Sequence, residues 1–345
     1  MRAIALTLLV VLTSLTTSPV NMVMTGSKVA TVQLGSIRSG AAIKSAYYDR
    51  SQSTIVEGSN RLKVSVGDPG AVRSLHVMGA GYVLRVAGKA RDRLVLVRRD
   101  GRRRELNHRG SVYGIAVSSD GRFLAWSTGL RSSTVVTVLN PSTGRHVVRV
   151  ERGKAGFRVV GLGSNRALVD DHGDARWWQW QRGKMTLASR WRPLAVDITT
   201  GVFATVHPAY AHGGYIRDPK AASWGMGEFE LPSEFSQDHR WVASSSSSYG
   251  SSLRQRARVR RVTNGYAPLV VNAKLPAGAQ VRFESTTAML VPVVEVGKGR
   301  TRSAVVRCYF AGSKLGRCER ATAVLTRTGA TPPTSNWLLA SPRTR

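Results

Sequence analysis

Ser118-Ser119-Asp120-Gly121-Arg122-Phe123-Leu124-Ala125-Trp126-Ser127 joins a polar turn to an apolar strand. Asp-Gly is a strong hairpin signal, because its residues tolerate the backbone twist that a tight antiparallel connection requires. Working outward, Val112-Tyr113-Gly114-Ile115-Ala116-Val117 reads as a strand before the turn and 123–127 as one after it. The β-branched run Thr134-Val135-Val136-Thr137-Val138-Leu139 is a third strand. After the turn Asn140-Pro141-Ser142-Thr143-Gly144, His146-Val147-Val148-Arg149-Val150 is a fourth. Four short antiparallel strands make one blade of a β-propeller.

The turn-and-strand phrase recurs. His239-Arg240-Trp241-Val242-Ala243-Ser244-Ser245 is a second copy. Looser copies center on Val83, Leu168, Phe203, Leu290 and Leu338, with spacings of 35 to 48 residues. A period near 40 residues marks a propeller or solenoid array. Units fall at 75–107, 112–152, 157–190, 195–229, 235–275 and 281–325, the fourth being the shortest and the least regular. Trp337-Leu338-Leu339-Ala340 matches the second strand of a further blade, with five residues after it. The N-terminal segments 29–34, 42–48 and 62–66 read as the strands that would complete it. Pairing the two ends of the chain removes the free edges of the ring. The expectation is therefore an all-β fold, a propeller of seven four-stranded blades closed by N- and C-terminal strands. The other count is six, with the N-terminal strands as an appendage.

The 118–127 phrase resembles the Ser-Pro-Asp-Gly-(Lys/Arg)-x-(Leu/Ile)-Ala-(Phe/Trp) phrase of TolB-like, WD-repeat-like β-propellers of the exported bacterial type. Phe235-Ser236-Gln237-Asp238-His239-Arg240-Trp241-Val242-Ala243 is similar, with His239 where the turn glycine would stand. The Gly-His and Trp-Asp pairs of WD-repeat proteins are missing. The resemblance implies a propeller. It does not choose between the binding platforms and the hydrolases that such families include.

Met1-Arg2 followed by an apolar run over 3–15 fits a secretory signal peptide. The expectation is a leader within 1–27, of uncertain cleavage site, and one propeller domain over 28–345. Cys308 and Cys318, between two strand-like flanks with Gly312 and Gly316 in the connection, suit a disulfide across a hairpin. The net charge is +31. The densest runs, 98–104 and 254–261, read as a charged turn and as a strand whose Arg256, Arg258 and Arg260 share a wet face. No specific nucleic-acid partner is expected from so scattered a charge, though a cation of this size should adhere to anionic surfaces such as lipid headgroups or wall polymers.

No Gly-x-Ser-x-Gly elbow, phosphate loop, dinucleotide fingerprint or paired zinc spacing occurs, and no cofactor is expected. Two clusters stand out. Asp170, Asp171 and Asp174 crowd one turn beside His172 and could offer oxygen ligands to a metal, although such turns are common between strands. His207, Tyr210, His212, Tyr215 and Asp218 gather in the irregular fourth unit, where a ligand-binding loop would sit. Trp177, Trp178 and Trp180 read as packing between blades, with one facing away from its neighbor. The functional expectation is a secreted, monomeric, non-catalytic scaffold at the cell envelope, binding a protein or an anionic ligand. The alternative is an exported hydrolase or lyase with its site at the channel mouth. An arginine-lined, carboxylate-poor mouth would favor the first.

Overall fold

The computed structural model describes residues 26–341, apart from 107, 109, 130–131, 154–155, 207–213, 227–229, 247–255, 277–279, 298 and 329–335. The leader expected over 1–27 thus lies almost wholly outside the described residues. Seven antiparallel sheets follow one another around the chain, joined by short connections. Numbered by position, their inner strands are Trp337–Leu339 in blade 1, Val72–Met78 in blade 2, Ser111–Val117 in blade 3 and Phe157–Leu162 in blade 4. Arg192–Val196, Glu230–Phe235 and Arg282–Phe283 are those of blades 5, 6 and 7. Among the described residues the only helical pieces are two short 3-10 turns.

Blade 1 closes the ring. Its order from the inside is Trp337–Leu339, Tyr47–Asp49, Thr54–Glu57 and Asn60–Lys63, so one C-terminal strand completes a sheet of three N-terminal ones by pairing with the first. Two expectations are corrected here. The C-terminal strand is the innermost of its blade, not the second; Tyr47–Asp49 takes the second place. The segment expected over 29–34 does not join this blade. Lys28–Thr31 instead lies parallel to Leu269–Asn272 as a fifth, outermost strand of blade 6. The chain between is pinned to blade 7 by Arg307, which donates to the carbonyls of Ala41 and Ala42 at 3.0 and 2.9 Å.

The quoted phrase owes its shape to local chemistry. Ser118 Oγ donates to Asp120 Oδ1 and accepts from the Phe123 amide, while Gly121 takes φ +70°. Ser236, Asp238 and Trp241 repeat these bonds in blade 6, with His239 at φ +61° in the glycine's place. The strand that follows each turn feeds the core. Burial divides into seven clusters, one at each seam between neighboring blades. Trp178 and Trp180 join the seam of blades 3 and 4, where Trp180 meets Phe123 edge-on at 5.3 Å. Trp177 turns the other way, onto Phe203 of blade 5 at 6.1 Å. That 4–5 seam is the thinnest, its buried cluster holding Leu168, Ala175 and Phe203. Blade 5 is also the shortest, its outer strand reduced to Trp224–Gly225. Cys308 and Cys318 are directly opposed partners on adjacent strands of blade 7 and form the expected disulfide.

Five inner strands carry a β-bulge, at the same distance from the strand end in blades 4, 5 and 6 and nearer the strand start in blades 2 and 3. The residue that drops out of the pairing is Arg73 in blade 2, Tyr113 in blade 3, Val160 in blade 4, Leu194 in blade 5 and Ser233 in blade 6. A bulge releases one residue from the ladder and re-aims its side chain. All five face one space, the central channel.

Candidate functional site: an arginine-lined channel mouth

The inner strands of all seven blades surround a cavity of about 430 Å³. Its lining includes the five bulged residues, and five arginines: Arg50, Arg73, Arg85, Arg158 and Arg282. Two carboxylates, Asp197 and Glu234, also line it. Four of the arginines share one end. Arg73 and Arg158 occupy the second position of their inner strands, whereas Arg282, which bonds Ser341 beyond the end of the blade 1 inner strand and faces Glu234 near the end of that of blade 6, lies deeper, toward the other end. Arg85 belongs to the strand beside, opposite Ser74, and Arg50 follows Asp49, the partner of Trp337. Inner strands run in one sense around the ring, so an arginine at the start of each is delivered to one mouth. Asp197, Ser236 and Gln237, beyond the last residues of their inner strands, belong to the other mouth.

Each guanidinium is held differently. Arg85 pairs with Asp92 at 2.6 Å. Arg158 donates to Pro193 O at 2.8 Å and faces Asp170 at 3.4 Å. Arg282, only 6% exposed, donates to Ser341 Oγ at 2.8 Å and to Gln280, and faces Glu234 at 3.7 Å. Its Nε is buried with no hydrogen-bond partner among the described residues. Burial pushes the Arg282 guanidinium below its ordinary pKa, with Glu234 opposing. Arg50 donates to Val72 O at 2.6 Å; it too is pushed down, first by burial and then by the charge of Arg73. Arg73 itself is exposed at the mouth.

His76 lies among these cations, 7% exposed, with Nε2 3.0 Å from Ser74 Oγ. Burial pushes its pKa down to about 3, and the charges of Arg282 and Arg85 push the same way. Its imidazole is neutral at physiological pH. At the far mouth, His239 Nδ1 meets Asp197 Oδ2 at 2.5 Å, bridging the turns of blades 5 and 6.

Close packing of the inner strands leaves room for this ring of side chains only where the backbone permits it. A Cβ on Gly114 would fall 2.5 Å from Val159 O of the next blade. Val159 N, beside the bulge, finds its acceptor outside its own sheet, in Ser127 Oγ of blade 3 at 2.9 Å.

The residues singled out from the sequence lie elsewhere. Asp170, Asp171 and Asp174 flank a two-residue hairpin turn in blade 4, and arginines engage each of them. Arg192 and Arg158 face Asp170, while Arg176 reaches both Asp171 and Asp174. Among the described residues, no group of three His, Cys, Asp or Glu side chains is arranged to hold a metal ion. Tyr215 packs on Trp191, with ring centroids 4.5 Å apart, and Asp218 Oδ1 accepts from the Lys220 amide in a turn; neither lines the cavity. His207, Tyr210 and His212 lie outside the described residues. The run at 98–104 does form a charged turn. The run at 254–261 differs from expectation: Arg258 and Arg260 converge on Glu230, which is 0% exposed, at 2.9 and 2.7 Å, so their shared face is an internal ion cluster.

No protein-family model matches the chain, and no curated protein matches it in sequence. Solved structures match it in shape. A functionally unknown protein from Desulfotomaculum acetoxidans DSM 771 superposes with a TM-score of 0.51 at 10% identity, over 88% of this chain and 100% of that one. The tricorn protease gives a TM-score of 0.52 at 11% identity over 77% of this chain, which spans only 33% of the protease chain. TolB from Acinetobacter baumannii gives 0.42 at 12% identity, covering 73% of this chain and 63% of that one. At these identities the first two speak for a common propeller fold and no further.

Proposed function

We propose that this protein is a non-catalytic β-propeller that binds an anionic ligand at the arginine-bearing mouth of its central channel. The observation that carries this reading is the delivery of four arginines, Arg50, Arg73, Arg85 and Arg158, to one mouth, with Arg282 deeper in the channel, against two carboxylates in the whole lining. Low-dielectric walls around like charges focus the field on whatever enters. The channel is also partly apolar, with Leu194, Leu338 and Leu339 in its wall, as small-ligand sites are. A disulfide between Cys308 and Cys318 supports a location outside the reducing cytoplasm, at the cell envelope.

An enzymatic reading has one observation in its favor, the 3.0 Å contact of Ser74 Oγ with His76 Nε2, which is within reach of a nucleophile and its base. The surroundings argue against it. A general base must hold the proton it takes, and burial beside Arg282 and Arg85 keeps the imidazolium from forming above about pH 3. The same cations that disfavor catalysis favor an anion.

The test is equilibrium binding of an acidic octapeptide, followed by the fluorescence of Trp337 in the channel wall. The expected result is salt-sensitive binding weakened at least tenfold by Arg73→Glu, roughly the worth of one charge-assisted contact plus a new repulsion. Equal affinity in the two proteins would refute it.

A further inference from the structure

Among the described residues one aromatic side chain is exposed: Tyr113, at 48%. It is the bulged residue of the blade 3 inner strand, and it lines the channel. Its place is prepared by the strand beside it. A Cβ on Gly129 would collide with Cε2, Cζ and Oη of the ring, so glycine at this position leaves the phenol end a seat. A ring anchored at one end and open to solvent over the rest offers apolar surface to whatever enters the mouth.

Tyr113 stands at the level of the arginine rim. Its neighbor Gly114 lies against blade 4, where a Cβ would fall 2.5 Å from Val159 O and 2.6 Å from Arg158 Cγ. Tyr113 and Arg158 are each four residues before the end of their inner strands. On the other side, in blade 2, Ser74 is at the same count, with Arg85 opposite it and Arg73 one residue nearer the mouth. The turns that end the inner strands of blades 2 and 3 are tied together, Gly79 N donating to Gly121 O at 3.2 Å.

Below the rim the wall divides. Two residues before the strand end stand Ile115 in blade 3, Val160 in blade 4 and Leu194 in blade 5, all half-buried and all in the lining. At the same count blades 2 and 6 present His76 and Ser233, and Ser341 of blade 1 bridges to His76. Three successive blades thus form an apolar wall in the same strands that carry Tyr113 and Arg158, and the blades across the channel form a polar one. A bare inorganic anion uses neither the ring nor the wall. A space of about 430 Å³ suits a small organic ligand.

We infer, resting on the anion-binding reading above, that the ligand is a small organic acid with an apolar body of aryl size. Its charge meets the rim arginines, while its body contacts the Tyr113 ring and runs down the wall of Ile115, Val160 and Leu194. Charge and body are read by different residues, Arg73 for the first and Tyr113 and Leu194 for the second, so the two contributions separate on substitution.

The test is calorimetric titration of the full chain with two monocarboxylates of equal charge, acetate and phenylpropionate. The expected result is phenylpropionate binding tighter by about tenfold or more, from burial of its ring. Tyr113→Ser should lower the phenylpropionate affinity about three- to tenfold, the range for one aromatic pair, and leave acetate as in the parent. Tyr113→Phe should restore the preference. Leu194→Gln, on the wall, should lower the phenylpropionate affinity in the same direction and is the independent check should Tyr113→Ser fail to fold. Arg73→Gln should weaken both acids by the same factor. Phenylpropionate binding no tighter than acetate, or a preference that survives Tyr113→Ser undiminished, would overturn the inference. If the acidic octapeptide still binds and loses affinity in Arg73→Glu, the anion-binding channel stands and only this ligand class falls. If neither acid nor the octapeptide binds, both fall.

Discussion

His239 occupies a position where the phrase elsewhere has glycine, and replacing it with glycine sets opposed effects against one another. At φ +61° a residue with a Cβ carries strain of about 1 kcal/mol. Glycine removes that strain but adds freedom to the unfolded chain, which costs about 0.4–1 kcal/mol. These two nearly cancel. What is left is the bond from Nδ1 to Asp197 Oδ2 at 2.5 Å. Asp197 is only 2% exposed, and it keeps the amides of Thr199 and Thr200 and the Thr200 hydroxyl after the loss. Its remaining bonds and the half-buried setting of His239 place the bridge at the low end of a charged hydrogen bond, about 1.5 kcal/mol. His239→Gly should therefore destabilize by about 1–2 kcal/mol in equilibrium urea unfolding. A double-mutant cycle with Asp197→Asn should recover most of that as a coupling energy. A variant as stable as the parent, or more so, would show that the turn and not the bridge decides this position, and the reasoning would be wrong.

Other expectations follow from the same structure. The pKa of His76 is pushed down to about 3 from 6.5, so between those values only the unfolded chain takes up the proton. This contribution is whole above pH 6.5 and shrinks as pH falls toward 3, by up to about 1.4 kcal/mol per pH unit; His76→Asn should flatten the unfolding free energy against pH in that window, and parallel curves would refute it. Glu230→Gln should cost about 3 kcal/mol by chemical denaturation, since it strips the counter-charge from the half-buried Arg258 and Arg260. Reducing the Cys308–Cys318 bond, which closes a loop with nine residues between the cysteines, should cost about 2.5–3 kcal/mol and lower the melting temperature by about 4 °C. Native-state hydrogen exchange should be fastest, among the seven sheets, in blade 5, which has the thinnest seam and the shortest outer strand.

The fold was readable where its chemistry is local. Apart from the Gly79 amide, which donates to Gly121 O, the bonds of the 118–123 turn are made within those six residues, so Ser118, Asp120 and Gly121 announce it. Alternation also placed Ala257 and Val259 correctly in the core. What alternation does not carry is the identity of the opposite face: Glu230 lies 28 residues before Arg258, and its presence turns a wet face into an ion cluster. Closure of the ring was legible as a shortage of strands, but Trp337-Leu338-Leu339-Ala340 reads equally well as a first or a second strand, and only its pairing to Tyr47–Asp49 distinguishes them. The parallel partnership of Lys28–Thr31 with blade 6 has no local signature at all. The channel mouth was hidden for a related reason. Arg73, Arg158 and Arg282 each look like one more surface arginine in a basic chain. A signal was present for two of them in their shared place, at the start of an inner strand directly after an apolar residue, as in Val72-Arg73 and Phe157-Arg158.

The five bulges have a consequence for how the channel can change. Arg73, Tyr113 and Leu194 stand outside the ladder register and line the channel, whereas Val160 and Ser233, also bulged, contact the seams, Val160 against the 4–5 cluster and Ser233 by its hydroxyl on Val281 O. Residues on either side of each bulge carry the pairing and the packing. Arg73, Tyr113 and Leu194 are thus exchangeable positions on a fixed frame, and a library confined to these three sites should retune what the channel accepts while leaving the propeller standing.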